Sequence, residues 1–88
     1  MVYNIYNPVP SSDAADRAVA DKVLSAMNAV ITQEASAYHL PVASAYSTFS
    51  GHVSQYILTG NVHPNAEGQA VLAQIGELEL TNASAAAN

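Results

Sequence analysis

The sequence predicts a partial α/β layered domain of order β-α-β-(α)-α, and three observations carry that prediction. Two short runs, Val2–Tyr6 and Leu40–Tyr46, are rich in β-branched, aromatic and small apolar residues. Between them, from Ala14 to about Tyr38, apolar residues recur at three- and four-residue steps. A second helical run, Ala66 to Leu80, follows Asn65, a residue suited to start a helix. Strands alternating with helices belong to layered α/β folds.

Val2-Tyr3-Asn4-Ile5-Tyr6 alternates weakly and suits a strand. Asn7 to Asp13 is a turn, because Pro8 and Pro10 forbid helix before Ser11. Ser12 or Asp13 is placed to cap the first helix. Its apolar stripe of Val19, Val23, Met27, Val30, Ile31 and Ala35 is expected to tie it to a sheet, and His39 falls at its C-terminal end. Leu40 to Tyr46 reads as a second strand buried on both faces, Ser47 to Gly51 as a turn, and His52 to Leu58 as a short helix. In the last helix Val71, Leu72, Ile75, Leu78 and Leu80 form the expected buried face. Gly68 and Gly76 each weaken it by about 1 kcal/mol, and Gly68 is expected to permit close packing instead. Residues 1–80 form one domain on this reading, and 81–88 a frayed, disordered tail, since the alanine run is too short to hold a helix alone.

Composition narrows the function. Eighty-eight residues make one small domain, burying roughly 60–65% of its chain surface. The net charge is −5, and Arg17 and Lys22 are the only basic residues besides histidine. They cannot neutralise a phosphate track, so nucleic acid is not an expected partner. No apolar run approaches the roughly 20 residues of a membrane span. With no cysteine there is no disulfide framework, thiolate metal site or cysteine nucleophile. Met1 is followed almost directly by the strand-like Val2–Tyr6 and not by a signal-peptide pattern. This implies either that the protein stays inside or, the favoured expectation, that its true beginning lies elsewhere.

One stretch points to chemistry: Gly60-Asn61-Val62-His63-Pro64-Asn65-Ala66-Glu67-Gly68. Pro64 biases His63 away from helical geometry, and Asn65 starts a helix directly behind it. A histidine held at such a boundary is displayed as a general base must be, and imidazole exchanges protons near neutral pH. By spacing alone, though, a histidine before proline is more often a plain loop residue.

Compared as a whole, the chain resembles the C-terminal portion of the SGNH/GDSL ester hydrolases. His63-Pro64-Asn65-x-x-Gly68 is similar to that family's final block, in which Asp-x-x-His-Pro-Asn supplies the base. Tyr3-Asn4-Ile5-Tyr6-Asn7-Pro8 looks like a late strand with its exit turn, and the helix from Ser12 like the one after it. Val42 to Gly51 resembles the next strand and loop, often Val-x-Asp-x-Tyr-x-x-Phe. The order and approximate spacing of the four segments agree. The resemblance implies a partial flavodoxin-like, three-layer fold, completed by oligomerisation or a partner fragment, with His63 as the catalytic residue. It also implies an ester or acyl substrate once the full enzyme is assembled, no cofactor, and a secreted parent enzyme.

The chain departs from the family in three places. Gly60 stands at the triad aspartate, and Ser44 where the second strand often carries an acid. Without that acid, Asn61 or a backbone carbonyl would have to hold the His63 tautomer. No Gly-Asp-Ser nucleophile block is present, so a base is expected with nothing to activate. Ser44, Ser47, Ser50 and Ser54 sit in no marked nucleophile turn and read as ordinary loop and strand residues. His39, His52 and His63 with Glu67 match no compact metal spacing. The five tyrosines read as edge-of-core residues. Unpaired strand edges recruit other chains, so the expected partners are further copies of this chain or a companion N-terminal half. The alternative to a hydrolase fragment is a non-catalytic, self-assembling α/β module.

Overall fold

A computed structural model of the protein describes residues 1–87. The elements run β1 (Val2–Tyr3), α1 (Ala14–Ala37), β2 (Val42–Ala43), α2 (Ala45–Phe49), α3 (Val53–Tyr56) and α4 (Ala66–Ala87). The molecule is mixed α/β and mostly helical, and its sheet is two parallel strands with Val2 opposite Val42 and Tyr3 opposite Ala43. This is compatible with a partial α/β fold.

Both strands are shorter than the sequence pattern implies. β1 pairs with β2 only as far as β2 runs: the last ladder bond joins the Asn4 N–H to the Ala43 carbonyl, and Ile5 presents its backbone groups to the opposite, open edge. The Asn28 amide accepts from the Ile5 N–H at 2.8 Å and donates to the Ile5 carbonyl at 2.9 Å. A side chain from α1 thus occupies the backbone groups that a neighbouring strand would use. β2 stops at Ala43 because Ser44 begins a helix: its Oγ accepts from the Ser47 N–H, an N-cap bond. Asn4 reinforces that start by accepting from the Tyr46 N–H at 2.8 Å and donating to Ser44 Oγ. Most of the expected Ser47–Gly51 turn is therefore the second half of α2.

α1 occupies the span its periodicity predicts, but not the orientation. Val19, Val23, Met27 and Val30 are 67, 56, 46 and 58% exposed, so the expected core stripe faces solvent. Of that stripe Ile31, half-buried, and Ala35 turn inward, beside Leu24. Polar anchors set this rotation. Asn28 is buried on Ile5, Asp21 accepts from Asn7 and from the Tyr46 hydroxyl, and Arg17 donates to the Val9 carbonyl. Leaving the buried Asn28 amide without its Ile5 partners would cost about 1–3 kcal/mol. Asp13 occupies the N-cap position without a side-chain cap bond; its backbone N–H instead closes a turn onto Pro10. At the other end His39 has φ +56°, with Leu40 N–H bonded to Ala35 and His39 N–H to Ser36. That is a left-handed helix cap, so His39 is committed to backbone geometry.

The core forms around the middle of the chain. Phe49 is fully enclosed, with Val53 and Ile57 buried beside it and Tyr6, Tyr56, Val71 and Leu72 packed around them. Tyr6 stacks on Phe49 with centroids 4.6 Å apart, and Tyr56 tilts against it at 5.2 Å. α4 turns Val71, Leu72 and Ile75 inward, while Leu78 and Leu80 are about half exposed, contrary to the expected five-residue face. A Cβ on Gly68 would strike the Tyr56 carbonyl and Pro64, which is the close approach the sequence predicts. Gly76 likewise leaves room for Tyr3, whose hydroxyl donates to the Leu72 carbonyl at 2.7 Å. α4 carries helical backbone through Ala87, where a frayed tail is the sequence expectation; Asn88 lies outside the described residues. No helix among the described residues is long and apolar enough to cross a membrane.

Candidate active site at the His63 turn

His63 sits on a turn whose backbone is fixed from both sides. Its carbonyl accepts from the Leu58 N–H at 3.0 Å, and Ile57 pairs with Pro64 in an antiparallel bridge. Gly60, at φ +70°, lets the chain reverse between them. Asn61 Oδ1 accepts from both the Val62 and His63 N–H groups, at 2.7 and 3.0 Å. The amide oxygen proposed from sequence to orient the imidazole is therefore spent on the turn's own backbone.

Immediately behind, Asn65 acts as the sequence predicts and does more. Its Oδ1 accepts from the Gly68 N–H, capping α4, while its Nδ2 donates to the Gln55 carbonyl and its N–H to Tyr56. One residue thus locks the helix start to the end of α3. Tyr6 closes the other side by donating its hydroxyl to the Val62 carbonyl at 2.8 Å, and partial burial raises that phenol's pKa. The His63 side chain is exposed, and among the described residues none hydrogen-bonds its ring. A rigid turn presents an uncommitted imidazole.

A cleft of about 600 Å³ opens beside this turn. One wall is Pro8, Val9 and Pro10, the other Ile57, Leu58 and Val62, with Asp13 and Asp16 also lining it. Of the serines weighed from sequence, Ser54 lines the cleft, and Ser44 and Ser47 are engaged in the α2 cap.

Sequence reading missed the histidine that is oriented by side chains. Gln55 donates through Nε2 to Glu67 at 2.9 Å, which leaves its Oε1 to accept from His52 Nδ1 at 3.2 Å. In that arrangement Nδ1 is the ring nitrogen that faces the Gln55 amide oxygen. The His52-x-x-Gln55 spacing at a helix start was the available signal. Among the described residues no group of three or more His, Asp or Glu side chains converges to hold a metal ion.

No family model matches the chain, and no solved structure matches it either. Among curated proteins it is similar to a spore germination lipase, LipC, of Bacillus licheniformis, 32% identical over 71 residues. The relationship is lipase-like. The aligned part is 81% of this chain but 31% of that lipase, so the chain spans about a third of the length of the curated relative it matches.

Proposed function

We propose that this chain is the C-terminal segment of a serine ester hydrolase of the SGNH/GDSL type, with His63 as its general base. The nucleophilic hydroxyl comes from a companion segment. In that role His63 takes the proton from the serine as it attacks the ester carbonyl and returns it to the departing alcohol. The observation that carries the reading is the His63 turn. Its backbone is pinned by Leu58, Asn61 and the Asn65 cap, while the ring is left exposed. Similarity to a lipase and the order of the four sequence segments support it further.

The chain alone is expected to hydrolyse nitrophenyl esters at the background rate. Mixed with a polypeptide carrying the part of the related lipase that this chain does not match, it gains a rate that His63→Ala removes and His52→Ala leaves in place. Equal rates for native chain and His63→Ala in that mixture would end the reading.

The second reading, a non-catalytic self-assembling α/β module, is favoured by one observation, the exposed apolar outer face of α1. Sedimentation separates the two: assembly into larger species with no gain of hydrolysis on adding the companion supports the module.

A further inference from the structure

We infer that Tyr6 is a positioning residue for His63: its hydroxyl anchors the otherwise free-standing His63 turn to the core. This deepens the hydrolase reading and rests on it for what the histidine does, though not for the anchor itself.

Loop 58–63 has a definite shape and little to fix its place. The shape comes from bonds within the loop. Leu58 N–H bonds to the His63 carbonyl, Asn61 N–H to the Leu58 carbonyl, and Asn61 Oδ1 accepts from Val62 and His63. All six residues are exposed, so no buried side chain keys the loop into the core. The bonds that join α3 to the start of α4 stop at its two ends, at Ile57 and at Pro64 and Asn65. Beside it lies the cleft of about 600 Å³, open space that leaves the loop room to swing. Among the described residues one hydrogen bond reaches these six from outside. It is the Tyr6 hydroxyl donating to the Val62 carbonyl at 2.8 Å, one residue before His63.

Tyr6 is built for that task. Its ring stacks on Phe49 with 22° between the planes, and Phe49 is fully enclosed. The phenol oxygen is thus carried by the most tightly held part of the core. Burial raises the phenol's pKa, which keeps the proton on an oxygen that must donate. The Val62 carbonyl sits on an exposed loop where water is an equal partner, so the bond adds little to global stability. What it fixes is location. A general base depends on that, because a misplacement of about 1 Å can cost roughly a hundredfold in rate.

Tyr3 supplies a matched control. Its hydroxyl donates to the Leu72 carbonyl at 2.7 Å, the same pair of groups, but on the middle of α4 and not on the loop.

The experiment measures ¹⁵N relaxation on the native chain, Tyr6→Phe and Tyr3→Phe. Order parameters at Asn61, Val62 and His63 should be about 0.85 in the native chain and fall below about 0.6 in Tyr6→Phe, while Tyr3→Phe keeps the native values. The urea midpoints of the two variants should agree, since each loses one phenol–carbonyl bond. In the mixture with the companion segment, Tyr6→Phe should lower kcat by about tenfold or more and leave KM within about twofold. Tyr3→Phe should change neither. Unmoved order at those three amides, equal loosening in Tyr3→Phe, or a midpoint for Tyr6→Phe far below its control would each overturn the inference. So would an intact kcat in Tyr6→Phe where hydrolysis depends on His63. A loop that loosens in Tyr6→Phe alone, in a mixture where His63→Ala changes nothing, supports the anchor and sinks only the hydrolase reading. His63-dependent hydrolysis with a loop indifferent to Tyr6→Phe sinks the anchor alone.

Discussion

α1 and α4 are the two long helices of this molecule, and they use their apolar residues in opposite ways. α4 turns Val71 and Leu72 toward the Phe49 cluster and half-buries Ile75. α1 turns Val19, Val23, Met27 and Val30 outward and places Arg17, Asp21 and Asn28 on its inner side together with Leu24, Ile31 and Ala35. A helix stripe says that a face exists; it does not say what will cover it. Where neighbouring backbone needs partners, a few hydrogen bonds rotate a helix against its own hydrophobic pattern. α4 also makes polar contacts with the rest of the chain: the Asn65 cap, the Gln55–Glu67 bond in the first turn and the Tyr3 hydroxyl on the Leu72 carbonyl. Val71 and Leu72 still face the core.

The largest test lies on the α4 side. Phe49→Ala removes the one fully enclosed large side chain among the described residues and should cost about 3–5 kcal/mol. A domain of this size holds little more than that, so loss of cooperative unfolding in urea is the expected readout. A mild loss would mean that the middle cluster is not the core.

On the α1 side, Asn28→Ala strands the Ile5 N–H and carbonyl and should cost about 1–3 kcal/mol. Asn28→Leu, which adds apolar bulk at the same place, should be no better tolerated. If leucine instead stabilised the chain, the account of α1's rotation would be wrong. Asn65→Ala should cost about 0.5–2 kcal/mol, measured as a shift in urea midpoint, and should loosen the His63 turn in the same experiment.

Replacing Val23 and Met27 together by Gln should move monomer stability by less than about 0.5 kcal/mol each while lowering any concentration-dependent mass in sedimentation. A large loss of stability would show that this face is covered within the monomer. The smallest effect is confined to acid. Hydrogen bonds from Asn7 and then Tyr46, with Arg17 nearby, hold the Asp21 carboxyl below its usual pKa despite partial desolvation. A depressed folded-state pKa stabilises above the unfolded value and is lost as pH falls through the folded one. Stability should therefore decline below about pH 4, and Asp21→Asn should flatten that limb.

Local chemistry was the legible part of this chain. The bounds of α1, the α4 start at Ala66, the Asn65 cap and the close approach at Gly68 all follow from residues within one turn of one another. What could not be read depended on partners distant in sequence. Asn28 occupies the open edge at Ile5 from 23 residues away, and Asn4 helps to start α2 from 42 residues away. The candidate site divides along the same line. That His63 stands at a loop-to-helix boundary was visible, whereas the diversion of Asn61 to the backbone and the His52–Gln55–Glu67 chain required the fold.

The amide of Asn28 carries one more consequence. Parallel sheets grow by adding a peptide ladder along an open edge, and here a side chain already stands in that ladder at Ile5. An incoming strand can pair only beside the first few residues before it meets this stop. Growth at that edge is cut to a short register, which guards a thin two-stranded sheet against unlimited stacking into fibres.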